Sequence, residues 1–363
     1  MQTRITPAAA LRRQRSAALG DRTIEAWLWL IAGLVFAMIV VGGATRLTDS
    51  GLSITEWQPL LGAIPPLNDA GWQSAFEKYQ QIPQYAAVNK GMALADFKVI
   101  YWWEWSHRLL GRVIGVVFAV PFLFFWATGR LRRGLAIRLA GVLALGALQG
   151  AIGWYMVKSG LADRVSVSQY RLALHLAAAF AILGLLVWLA RDEGKERGAI
   201  SGDAATAPIK RRAAWLVALI GLQVVLGAFV AGLRAGLVYN TWPTMNGAWI
   251  PEGMWKIQPL ILNLFETIET VQFNHRLMAY AIGLFALYHV YAITHTAVDL
   301  RIRRSAYALM AAIAAQIVLG IATLLAQVPL SLGLMHQAGA ALVLIAAVWH
   351  LHATRRAGLS AYR

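Results

Sequence analysis

The 363-residue sequence contains no cysteine, which excludes disulfides, thiolate metal sites, iron–sulfur clusters and cysteine nucleophiles. Charge is scarce as well: 14% of the residues are Asp, Glu, Lys or Arg, against about 25% in soluble domains. Acids are the rarer sign, 17 against 33 Lys and Arg, for a net charge of +16. In a soluble chain that excess would suggest nucleic acid. Here 59% of the residues are hydrophobic, above the roughly 45–50% of soluble domains. They fall in blocks of about 20, the length that crosses a hydrocarbon core of about 30 Å. The composition therefore excludes a soluble globular protein and predicts an all-α membrane protein in contact with lipid.

Eight blocks read as spans: 26–45, 99–127, 136–157, 171–190, 213–234, 270–294, 306–327 and 332–353. With residue 1 inside, the inner segments are the N-terminus, 128–135 with Arg138, 191–212, 295–305 and the C-terminus. They hold 21 Lys and Arg against seven acids, and the outer side, counting Arg171, Arg234 and Glu104 near the span ends, holds nine against ten. Arg12, Arg13, Arg15, Arg130, Arg132, Arg133, Lys210, Arg211, Arg212, Arg301, Arg303, Arg304, Arg355 and Arg356 carry much of the excess. This is the positive-inside pattern, so the basic charge reports topology and not a nucleic-acid partner. Both termini are expected to be cytoplasmic, with the first span uncleaved because no A-x-A site follows it.

The two halves repeat one another. Glu104-Trp-Ser-His107-Arg108-Leu109 in span 2 matches Gln272-Phe-Asn-His275-Arg276-Leu277 in span 6. Gln149 to Gly153 in span 3 matches Gln316 to Gly320 in span 7, and His175 at the start of span 4 matches His336 at the start of span 8. Four spans return the chain to the same side, so the halves share one orientation and a pseudo-twofold axis along the membrane normal. The expected organisation is a segment 1–25, a four-helix bundle 26–190 with a long outer loop 46–98, a linker 191–212, a second four-helix bundle 213–353 and a tail 354–363. The outer loop is expected to cap the outer sites.

Four of the eight histidines, His107, His175, His275 and His336, stand at matching depth near the outer ends of spans 2, 4, 6 and 8. A lone intramembrane histidine most often bonds one helix to the next; four in register point to more. One pair per bundle suits bis-His ligation of haem iron between facing helices. Zinc would need three or four ligands, and neither cysteine nor enough intramembrane carboxylate is present. Arg108 and Arg276 read either as interfacial anchors or as forks for haem propionates. His275 to His289 and His336 to His350 are each 14 residues, about 21 Å on a helix. That spacing would permit a second, stacked haem, although the other half has Pro121 and Leu189 at the equivalent positions. His295 and His352 lie toward the same inner side. The halves differ at Glu104, one turn before His107, where the other half has Gln272. An acid at a span boundary is either an arginine partner or functional, and its one-sidedness predicts that the N-terminal half reacts while the C-terminal half holds a cofactor.

With the stretch Gly42-Gly-Ala-Thr-Arg46-Leu-Thr-Asp49-Ser-Gly51-Leu-Ser53, then Glu104-x-x-His107-Arg108, His175, Asn274-His275-Arg276 and His336, the chain resembles the haem A synthase family, in the branch shared by alphaproteobacteria and mitochondria. The resemblance runs from about residue 27 to 353. It implies oxidation of the C8 methyl of haem O to a formyl group, through the alcohol and with oxygen from water, to supply haem A to cytochrome oxidase. It implies haem b on His275 and His336 as cofactor, substrate haem O at His107 and His175, and Glu104 acting near the methyl carbon. It also implies a bacterial inner-membrane location with the haem sites toward the periplasm. Haem O synthase (a farnesyltransferase) and cytochrome oxidase assembly factors are candidate partners, with homo-oligomerisation open. Some bacterial relatives carry an outer-loop cysteine pair that this chain lacks. Two rival readings stand beside it: a cytochrome b that only transfers electrons, and a haem transporter or chaperone, for which Pro121 in span 2 gives thin support.

Overall fold

The computed structural model describes residues 7–58, 61–163, 166–194 and 206–355. Its α-helices are α1 (Pro7–Leu47), α2 (Asp69–Gln80), α3 (Pro83–Val88), α4 (Leu94–Ala127), α5 (Arg133–Asp163), α6 (Gln169–Glu193), α7 (Ala207–Gly232), α8 (Asn263–Glu266), α9 (Ile268–Thr294), α10 (Leu300–Leu325) and α11 (Leu330–Thr354). There is no strand among the described residues. Eight helices, α1 from Arg22 on, α4 to α7 and α9 to α11, are long and apolar enough to cross a membrane. In hydrocarbon a helix satisfies its own backbone N–H and C=O groups, so each apolar block becomes one helix. The chain is an all-α, multi-pass membrane protein.

The helices outrun the expected spans, because backbone hydrogen bonding continues into flanking polar residues. The segment 1–25 is helical from Pro7, and the linker 191–212 is helical at both ends, to Glu193 and from Ala207. Its residues 195–205 lie outside the described residues, as do Arg356 and the rest of the tail beyond Arg355. The span expected at 213–234 ends earlier: α7 stops at Gly232 and Arg234 adopts a left-handed backbone (φ 52°). Likewise α10 stops at Leu325 and not at Gln327. Helix α4 runs unbroken through Pro121, so the broken span of a transporter is not found there.

Helix α1 packs on α4 and α6, and α5 on the same two; α7 packs on α9 and α11, and α10 on the same two. The two sets meet where α6 touches α7 and α11 and where α1 touches α11. In α6, 44% of the most apolar stretch is buried and in α1 39%, against 17% in α4, α5 and α10. The first pair is therefore central and the others form the perimeter. Leu28, Ile31, Leu183, Leu186, Leu216 and Ala347 belong to the shared core. Val116, Val120, Leu123 and Phe124 on α4 are exposed, as are Leu284, Leu287 and Tyr291 on α9, a perimeter suited to lipid tails. We call the ends of the bundle the loop end, which carries 48–93, and the basic end opposite it.

At the loop end, residues 48–58 and 61–93 fold back against α4 and α5. Trp72, Phe76 and Tyr79 of α2 bury against Leu52, Phe97, Ile100 and Tyr101, and Asn68 caps α2 by accepting from Gly71 N at 2.8 Å. Burial raises the Tyr79 hydroxyl pKa. That hydroxyl donates to Gln84 Oε1 (3.2 Å) and accepts from Asn89 Nδ2 (2.6 Å). Gln84 in turn donates to the Asp49 carbonyl at 3.0 Å, which ties this loop to the end of α1. Asp49 also joins the halves, its carboxylate receiving Arg46 at 3.1 Å and Arg234 at 2.7 Å.

Candidate functional site: two histidine pairs

The structure brings His107 to His175 and His275 to His336, each pair with ring centroids 6.5 Å apart. All four rings are half-buried. Each rests on a glycine of a neighbouring helix. A Cβ built at Gly42 would stand 3.1 Å from His107 Nε2, and one at Gly153 would stand 3.1 Å from His175 Cε1. At Gly227 it would be 3.1 Å from His275 Cε1, and at Gly320 2.8 Å from His336 Cε1. Any larger residue would push the ring away, so close approach explains these four glycines. Three glutamines reach the same histidines. Gln149, Gln223 and Gln316 donate to the carbonyls of His175 (2.9 Å), His275 (3.0 Å) and His336 (2.7 Å).

These residues fit a haem. An imidazole nitrogen stands about 2.0–2.1 Å from a bound metal, so two rings across one iron are separated by two such bonds plus the two ring radii. A centroid spacing of 6.5 Å has that room and exceeds direct contact. Buried polar atoms without a partner gather here: His175 Nδ1, His275 Nδ1 and the side-chain oxygens of Gln149, Gln223 and Gln316. Among the described residues no cluster of three or more His, Asp or Glu surrounds either pair. Two neutral imidazoles are the donor set of axial haem ligation, which needs no third protein ligand.

The halves diverge one turn before His107. Glu104 is 2% exposed, and each of its contacts is a donor. Oε2 accepts from Ser53 Oγ at 2.8 Å and from the Ile54 N–H at 2.7 Å. Oε1 accepts from Arg108 at 2.5 and 3.0 Å. That surrounding is complementary to a carboxylate. At the equivalent place Gln272 donates to the carbonyls of Ala235 (2.8 Å) and Tyr239 (3.3 Å). The neighbouring loop thus presents donors in one half and acceptors in the other. Arg108 also donates to the Ile54 and Glu56 carbonyls at 2.8 and 2.9 Å. Arg276 donates to the Tyr239 and Thr241 carbonyls at 2.8 and 2.9 Å. Both arginines pin a loop to the start of a helix. A cavity of about 220 Å³ adjoins Arg108, lined in part by Glu56, Trp57, Trp154 and Lys158.

The remaining histidines behave differently. His289 and His350 lie on the same helices as the C-terminal pair, yet they are fully buried and joined Nε2 to Nε2 at 2.7 Å. Arg212 Nε donates to His289 Nδ1 (3.4 Å), so His289 donates through Nε2 to His350, whose Nδ1–H bonds Ser305 Oγ (2.8 Å). Rings that bond each other leave no place for iron between them, so the stacked second haem is excluded. His289→Ala should leave His350 Nε2 buried and unpaired, at a cost of about 1–3 kcal/mol. The expected result is a lowered thermal midpoint in detergent with both of the other pairs intact. His352 bonds Asp192 at 3.0 Å at the basic end, and His295 is exposed.

Sequence reasoning named the histidines and Glu104 but not Gly42 and Gly227 as their seats, nor Gln223, Ser53 or the Ile54 N–H. A signal existed for some of these: Gln-x-x-x-Gly occurs at 149–153, 223–227 and 316–320, and each copy faces one histidine.

The family model for cytochrome oxidase assembly protein (COX15-CtaA) matches residues 25–348. A heme A synthase of Parvibaculum lavamentivorans is 53% identical over 328 residues, covering 90% of this chain and 92% of the relative. That of a Chelativorans species is 52% identical over 334 residues, covering 92% and 91%. That of Brucella ovis is 50% identical over 336 residues, covering 93% of each. Two haem-fitting histidine pairs, eight spans and this likeness over nine-tenths of the chain place it in the cytochrome oxidase assembly protein family, the family of the heme A synthases.

Proposed function

We propose that this protein converts the C8 methyl of haem O to a formyl group, with His275 and His336 holding a resident haem b and His107 and His175 receiving the substrate. The observation that carries the division of labour is the carboxylate of Glu104, seated among four donor contacts beside one pair only. The methyl and one water become the formyl with release of four electrons and four protons. The resident haem, when bound, would supply a one-electron relay near the substrate, reoxidised by an external electron acceptor after each of the four electrons. Glu104 offsets positive charge developing at the methyl carbon and takes up a proton, in a site where fixed charges act strongly. Arg108 holds that carboxylate and the loop 54–56 in place. The cavity beside Arg108, with Lys158 on its wall, suits the carboxylate arms of the substrate.

The architecture proposed with this function is two tandem four-helix bundles, 26–190 and 213–353, related by a pseudo-twofold axis along the membrane normal. Its support is that α1–α11 and α7–α6, equivalent under the repeat, are both packed pairs. Lys and Arg concentrated at the basic end support cytoplasmic termini, with both haem sites toward the periplasmic face of a bacterial inner membrane. Haem O synthase and oxidase assembly factors are the proposed partners for delivery of substrate and use of product. The test is chromatography of haems extracted from the detergent-purified protein, made in cells that also make haem O. Haem B together with haem O, its hydroxylated form or haem A is the expected result. Haem B alone, tightly held and redox-active, would overturn the enzyme and leave an electron carrier.

A further inference from the structure

Three of the four histidines are tethered in one manner. Gln149, Gln223 and Gln316 each precede the supporting glycine by one helical turn and donate to the carbonyl of the histidine that the glycine seats. Gln223 and Gln316 also reach a ring nitrogen, at 3.4 Å on His275 and 3.1 Å on His336. The fourth member of this set is Met38-Ile-Val-Val-Gly42, facing His107. A thioether has no N–H to donate. The Met38 methyl instead lies toward α4 at Gly111, where a Cβ would meet it at 3.4 Å.

We propose that His107 is the releasable ligand of the substrate haem, and that Met38, standing where the other three sites carry a glutamine, is what leaves it so. This rests on the reading of the N-terminal pair as the substrate site. The distribution of tethers follows what each site must do. A resident haem has to stay, and Gln223 and Gln316 each hold their histidine at both the backbone carbonyl and a ring nitrogen. A substrate haem has to arrive and leave: His175 is held by Gln149 at the backbone carbonyl alone, its ring Nδ1 having no partner, and no glutamine faces His107. His107 shares its helix face with Glu104, so release opens the iron on the helix that carries the carboxylate. Met38 acts through His107 and is a positioning residue.

The test reads ligand exchange and not turnover. Wild type, Met38→Gln, Met38→Leu and Gln223→Met are purified from cells that make haem O, the haem of each is quantified after extraction, and the reduced proteins are titrated with carbon monoxide, which binds only where an axial ligand lets go. Wild type and Met38→Leu are expected to bind carbon monoxide at the N-terminal haem. At unchanged haem content, Met38→Gln is expected to weaken that binding at least about tenfold, the size of effect that partners of metal-ligating histidines commonly have. Gln223→Met is expected to make the C-terminal haem reactive as well, which keeps the test decisive should Met38→Gln fail to load. Unchanged carbon monoxide binding in Met38→Gln with both haems present overturns the role of Met38 and leaves the function standing. Absence of any haem O, its hydroxylated form or haem A from wild type overturns both.

Discussion

Glu104→Gln is expected to lower haem A formation by a factor of about 10²–10⁴, the usual contribution of a positioned acid or base, while haem O accumulates on the purified protein. The amide matches the carboxylate in shape but not in hydrogen-bond polarity. Its NH₂ would face either Ser53 Oγ together with the Ile54 N–H, the latter able only to donate, or the Arg108 guanidinium, which also only donates, and Arg108 would lose the charge it pairs with at 2.5 Å. The reciprocal change, Gln272→Glu, sets a carboxylate against the Ala235 carbonyl and is expected to reduce stability without creating a second reactive half. Chromatography of extracted haems from both variants checks this. Haem A at wild-type amounts in Glu104→Gln would remove the residue from the chemistry and leave it an arginine partner.

Gly320→Val is expected to empty the C-terminal site. Its Cβ alone would stand 2.8 Å from His336 Cε1, and the ring cannot simply retreat, because Gln316 bonds both its Nδ1 and its carbonyl. Loss of one axial position's geometry should weaken haem b by about 10–100-fold, so haem O is retained while haem b falls to a small fraction. Gly153→Val, against His175, should do the converse. Gly221→Val, on α7 with no heavy atom within 4 Å of the new Cβ, is the matched control and should keep both haems. Full haem b in Gly320→Val, measured by extraction and by the reduced absorption spectrum, would show that the glycines serve helix packing alone.

Much of this protein was legible in one dimension because the membrane restricts what a chain can do. Hydrocarbon admits a helix and little else, so the eight apolar blocks became eight helices, most of them prolonged into flanking polar residues and two, α7 and α10, ending two residues short. The repeat placed His107, His175, His275 and His336 in register, and the single substitution of Gln272 for Glu104 marked the halves as unlike. His289 and His350 show the limit of such reasoning. Their spacing is the same as that of a second haem pair along the helices, but ring separation depends on how closely α9 and α11 approach, and at that depth the two nitrogens touch at 2.7 Å.

The amino-acid sequence by itself determined the class, the spans, the expected orientation, the four ligand candidates and the one-sided acid, since each follows from composition, periodicity or internal symmetry. Only the tertiary structure decided the polarity of the loops around Glu104 and Gln272, the glycine seats, the glutamine tethers with Met38 as the exception, and the direct bonding of His289 to His350. The reason is physical: these depend on distances of a few ångströms between helices far apart in the chain, and hydropathy and spacing do not encode which donor meets which acceptor across such a gap.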